Sequence, residues 1–139
     1  MKISLGCDEA AYQLKETIKQ QLQEAGHEVI DNGVGEGEVE LYPDVAVRTC
    51  KKVTDGTCDR GILVCGTGIG MAMTANKVPG IRAAVCHDPF STERSVLSND
   101  ANVMCMGARV IAPQLALYLL DIWMGLTFKN GPSTPKVER

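Results

Sequence analysis

Arg60-Gly61-Ile62-Leu63-Val64-Cys65-Gly66-Thr67-Gly68-Ile69-Gly70-Met71 decides the fold. Its first half is a short apolar run, the pattern of a strand buried on both faces. Its second half turns through three glycines into Met71-Ala72-Met73-Thr74-Ala75-Asn76-Lys77, a helix-compatible stretch. A strand that ends in a thiol and turns into a helix sets backbone N–H groups at the positive end of a helix dipole. Gly66, Gly68, Ile69 and Gly70 are therefore candidate anion-binding positions. The same field is expected to lower the pKa of Cys65 and favour its thiolate, a nucleophile or base. Nucleotide motifs do not fit. No G-x-x-x-x-G-K-[ST] occurs, the spacing is not G-x-G-x-x-G, and the turn follows the third strand rather than the first. A tight turn needs one glycine; three within five residues, beside Cys65 and Thr67, favour a ligand cradle.

Upstream, Ile3 to Cys7 reads as a buried strand. Ala10 to Ala25 reads as an amphipathic helix with Leu14, Ile18 and Leu22 on one face. His27 to Asp31 reads as a second strand, and Asn32 to Glu40, rich in Gly and Glu, as a loop. Tyr42-Pro43-Asp44 opens a helix that runs to Val53. Downstream, the helix after the glycines extends to about Val78, and Pro79-Gly80 breaks it. Ile81 to Cys86 is the fourth strand, Ser91 to Leu97 a helix, Asn102 to Met106 the fifth strand, and Pro113 to Leu126 a long helix. The tail, Lys129 to Arg139, holds Gly131, Pro132 and Pro135 and reads as irregular. Five strand–helix alternations predict an α/β fold: a three-layer α/β/α Rossmann-like sandwich with a five-stranded parallel sheet. Ligands in such sheets bind beyond the carboxyl ends of the strands. Asp8-Glu9, Cys65 to Gly70, His87-Asp88 and Gly107 to Arg109 all fall there.

With 139 residues, one domain spanning 1–139 is expected. A net charge of -3 leaves no basic footprint for nucleic acid. No run approaches a membrane span, and the N-terminus reads as a strand rather than a signal peptide. The six cysteines form no C-x-x-C pair and no zinc spacing, so reduced thiols and a cytoplasmic location are expected. Asp8 with Glu9, and Asp88 before Pro89, have the form of helix caps. Ser98-Asn99-Asp100 has the form of a polar turn, and Lys136 that of a solvated charge.

Together, Gly6-Cys7-Asp8, Tyr42-Pro43, Cys65 to Gly70, Ala75 to Ala83, Asn99 to Val103 and Gly107-x-Arg109-Val110 resemble the ribose-5-phosphate isomerase B / galactose-6-phosphate isomerase family over nearly the whole chain. The resemblance implies aldose–ketose isomerisation of a sugar phosphate with no metal or other cofactor, in a homodimer or dimer of dimers. It implies that Cys65 is the base that moves a proton between the first two carbons. Thr67 would help polarise or open the sugar, and the N–H groups of Gly66 to Gly70 would hold the enediolate. Asp8 and Asn99 would bind substrate oxygens and Arg109 the phosphate, with the partner's tail, including Lys136, reaching the same phosphate. The chemistry agrees, since fixed N–H dipoles stabilise charge that develops on oxygen. No electrons are transferred, so no nicotinamide is needed.

The chain departs from the family's usual pattern at four positions. Glu9 and Ser98 stand where histidine is usual, and Pro132 and Lys136 where arginine is usual. The histidine at position 98 is the one the resemblance assigns to ring opening, and serine is a poor acid or base. A tetrose 4-phosphate cannot close a furanose, because its fourth oxygen carries the phosphate. Erythrulose 4-phosphate and ribose 5-phosphate are therefore competing substrates. Leu97-Ser98-Asn99 also resembles members that act on the tetrose. A non-catalytic subunit of a mixed assembly is the alternative, and retention of Cys65, Thr67 and Asn99 argues against it.

Overall fold

The central strands are buried on both faces, and the alternating direction of their side chains sorts the interior into two layers. The computed structural model describes residues 1–139. Its strands are β1 (Lys2–Cys7), β2 (Glu28–Asp31), β3 (Arg60–Cys65), β4 (Ala83–Val85) and β5 (Val103–Gly107). They form one parallel sheet in the order β2-β1-β3-β5-β4. The helices are α1 (Tyr12–Glu24), α2 (Tyr42–Thr54), α3 (Ile69–Ala75), α4 (Pro89–Leu97), α5 (Pro113–Met124) and α6 (Thr134–Glu138). On one face Ile3, Leu5, Ile62, Val64, Met104 and Met106 pack with Ile18 and Leu22 of α1 and Leu119 and Trp123 of α5. On the other, Leu63, Cys65, Val103 and Cys105 pack with Val45 and Cys50 of α2 and Met71 and Ala75 of α3. The α/β/α sandwich read from the sequence is the fold observed.

Several boundaries differ, each for a local reason. The first helix does not run unbroken from Ala10. Glu9–Ala11 is a 3-10 turn whose Ala10 N–H donates to the Asp8 carboxylate at 3.1 Å, and α1 begins after it. The helix after the glycines ends at Ala75, short of Val78, and β4 starts at Ala83, not Ile81. Side-chain amides occupy the difference. Asn76 brackets Ala83, accepting its N–H at 2.8 Å and donating to its carbonyl at 2.9 Å. Asn102 does the same between the N–H of Arg82 and the carbonyl of Gly80. His27 lies outside β2 and meets the chain's N-terminal amine. The tail is not irregular throughout: α6 occupies Thr134–Glu138, with Pro135 in its first turn where its missing N–H costs nothing.

Candidate active site

Two neighbouring strand ends, those of β3 and β5, build a cradle. Cys65 ends β3 on the α2/α3 face and is 5% exposed. Its Sγ accepts the Gly68 N–H at 3.1 Å. Gly68 has φ +79°, the left-handed conformation that turns the chain sharply under the sulfur. The Ile69 N–H donates to Thr67 Oγ1 at 3.2 Å. The N–H groups of Gly66, Thr67 and Gly70 take no partner within the chain, which leaves three donors beside the thiol.

The rest of the cradle is held against β5. Ala108 N–H donates to the Cys65 carbonyl at 2.8 Å and Arg109 N–H to the Gly66 carbonyl at 3.0 Å. The Arg109 guanidinium lies over Gly66, where an added Cβ would sit 3.2 Å from Nη1. Its side chain makes no hydrogen bond, and its charge also reaches Asp8. Burial and the adjacent Glu9 push the Asp8 carboxyl above its usual range, against the N–H bonds of Ala10 and Ala11 and the Arg109 charge. Gly107 backs onto Thr67 so closely that a Cβ there would be 2.6 Å from the Thr67 backbone. His87 fixes that contact from behind: its Nε2 accepts the Gly107 N–H at 2.9 Å, and burial holds its pKa below the usual value. Asp88 caps α4 through Ser91 N–H, as its sequence context implied.

Other thiols are core. Burial pushes Cys7 up to about 11, Cys50 to about 12 and Cys105 well above the ordinary range. All six cysteines are free. Tyr42, the residue that opens α2, covers the cradle: its ring occupies the space beside Gly70. An aromatic at the mouth of a helix, in a chain with 4% aromatics, was the available signal.

Ser98, Asn99 and Lys136 do not join Cys65 within one chain. They line a separate cavity of about 590 Å³, together with Arg82, Arg94 and the exposed edge of β4. The topology requires this. Helix α4 runs back from the carboxyl end of the sheet, so Ser98 and Asn99 precede β5 at its amino end. Val103 pairs with Gly61, and Cys65 lies four residues further along β3, about 13 Å at strand rise. Ser98 also turns inward, donating its hydroxyl to the Arg94 carbonyl at 2.9 Å. Glu9 is exposed in the first turn of the 3-10 segment.

A thiol-bearing N–H cradle at the carboxyl end of a parallel sheet, facing an arginine and a carboxylate, is an arrangement chemically able to move a proton on an anionic substrate. Residues 3–139 match the model of the ribose/galactose isomerase family. The ribose-5-P isomerase B of Listeria innocua is 52% identical over 99% of this chain and 93% of that protein. The D-erythrulose-4-phosphate isomerase of Pectobacterium atrosepticum is 49% identical over 100% and 92%. The solved ribose-5-phosphate isomerase B of Clostridium thermocellum superposes with a TM-score of 0.96 at 43% identity, covering 99% of this chain and 93% of that one. The chain belongs to the ribose/galactose isomerase family. It is a sugar-phosphate aldose–ketose isomerase.

Proposed function

We propose that the enzyme interconverts the aldose and ketose forms of a tetrose 4-phosphate through an enediolate, with Cys65 as the base. The Cys65 sulfur with its Gly68 N–H, beside three unpaired donors, carries this reading. The thiolate takes the proton from the carbon next to the carbonyl, and the electron pair moves onto the carbonyl oxygen. The N–H groups of Gly66, Thr67 and Gly70 face that charge. Return of the proton to the adjacent carbon, with transfer of the hydroxyl proton between the two oxygens, completes the exchange. Asp8 and Asn99 hold sugar hydroxyls, Arg109 the phosphate, and Thr67 the carbonyl end.

Two copies would complete each site, one giving the cradle and its partner the groove with Ser98, Asn99 and Lys136. Opposite placement of the two halves supports this. So do the exposed Leu41, Ile69 and Met73 around the cradle and the free edge of β4 in the groove. No helix is long and apolar enough to cross a membrane, and six free thiols suit a cytoplasmic setting.

The tetrose is favoured because the groove offers no imidazole. His27 is held at the N-terminus and His87 behind Gly107. A pentose 5-phosphate is the second reading, favoured by the 52% identity to a protein named for it. Steady-state kinetics on erythrulose 4-phosphate and ribulose 5-phosphate separate them. A higher kcat/KM is expected for the tetrose; a clear pentose preference overturns that choice. A purified homomeric protein inactive on every four- to six-carbon sugar phosphate overturns the catalytic reading itself, in favour of a subunit needing a different partner.

A further inference from the structure

We infer that Arg94 is a phosphate ligand, acting from the groove with Lys136; this rests on the isomerase reading above. Apart from Arg109 in the cradle and Arg139 in the tail, every arginine but Arg94 has a hydrogen-bond partner for its guanidinium. Arg48 is spent on Glu40 and the Asn32 carbonyl, Arg60 on the carbonyls of Trp123 and Leu126, and Arg82 on Asp100. Arg94 makes no side-chain hydrogen bond at all. Its Nε is buried without a partner, and its only ionic neighbour is Glu93 of the same helix, at 3.9 Å. A buried N–H with nothing to donate to is costly unless something else occupies the site.

The position of Arg94 says what that occupant is. It lines the 590 Å³ cavity and also a second one of about 360 Å³ bounded by Lys129 to Ser133. It therefore stands between Lys136 and Lys129, with the Ser98 and Ser133 side chains on the same walls. No Asp or Glu lines either cavity, although acidic residues outnumber basic ones 17 to 14 in the whole chain. A planar donor fork, two ammonium groups and the Ser133 hydroxyl, without a facing carboxylate, suit a phosphate dianion. Pro132, on the same wall, supplies no charge, so the fork on α4 provides what the tail there does not.

The full-length enzyme tests this through the inhibition constant of inorganic phosphate, alongside KM for erythrulose 4-phosphate. Arg94→Ala is expected to raise both about 10- to 100-fold, as loss of a charge-assisted hydrogen-bond pair requires. Arg94→Lys should recover part of the loss. An unchanged phosphate inhibition constant in Arg94→Ala overturns the assignment. So does a fall in kcat with phosphate inhibition unaltered, which marks Arg94 as a helix-end charge serving α4 alone. A wild-type enzyme inactive on sugar phosphates removes the isomerase reading, whereas an active wild type with an indifferent Arg94 removes this inference only.

Discussion

The Gly68 N–H points at the Cys65 sulfur from 3.1 Å, a donor placed where a thiolate needs one. Serine at this position keeps the size and the hydrogen bond but lacks an accessible anion. Cys65→Ser is expected to lower kcat by roughly 10²–10⁴-fold, the range of lost general-base catalysis, with the melting temperature nearly unchanged. Turnover close to wild type would remove Cys65 from the role of base.

Two glycines on the cradle should respond differently to a methyl group. At Gly107 the new carbon meets the Thr67 backbone at 2.6 Å, and neither element can give way. Gly107→Ala is expected to destabilise by about 1–3 kcal/mol or more and to lower kcat/KM. At Gly70 the obstacle is the ring of Tyr42, itself 40% exposed and able to swing outward. Gly70→Ala should fold normally. Paired thermal melts and kinetics check both; equal loss of stability in the two variants would contradict the packing described.

How far the sequence carried depends on the range of the interactions. The strand–helix alternation is local, so the parallel sheet and the Cys65 turn could be read directly. The separation of Ser98 and Asn99 from Cys65 was also implicit, since any residue just before a parallel strand lies at the amino end of the sheet. Asn76 and Asn102 shortened β4 through contacts up to 22 residues away, which no local pattern encodes. Helix α6 was hidden by Pro135, a residue that breaks helices in the middle and suits them at the start. Arg94 was not legible at all, because its significance lies in what its neighbours fail to offer it.

Lys15 is 3% exposed at its side chain and donates to Asp31 at 2.8 Å and Glu16 at 2.6 Å. Burial opposes its charge, but these bonds prevail and raise it to about 12. Burial likewise pushes the Asp31 carboxyl up, yet the bonds from Lys15, Gly33 N–H and Lys19 carry it below its usual range. A depressed carboxyl stabilises the fold above its unfolded pKa, about 3.9, and loses that as pH falls through the folded value. A raised amine stabilises below about 10.4 and loses that as pH rises through about 12. The pair thus contributes fully between these limits. Lys15→Met should cost about 2–3 kcal/mol at pH 7, less than a wholly buried pair because Lys19 also reaches Asp31. Urea unfolding across pH checks this. The deficit should shrink toward pH 3, and a pH-independent deficit would assign the loss to packing.

Ser98 spends its hydroxyl proton on the Arg94 carbonyl, so it adds no acid to the groove. Ser98→His would place an imidazole there. The ratio of kcat/KM for ribulose 5-phosphate to that for erythrulose 4-phosphate is expected to rise. An unchanged ratio would show that position 98 does not set the choice between a ring-forming and an open-chain sugar.

The opposite placement of Cys65 and Asn99 on one sheet has a genetic consequence. In a two-fold dimer with shared sites, a Cys65→Ser chain and an Asn99→Ala chain fail in different halves. Assembled together, one of their two sites inherits both lesions and the other inherits neither. Equal mixtures refolded from denaturant should regain about a quarter of the wild-type sites, although each parent is dead alone. Two defective alleles of one gene would then rescue each other in the same cell.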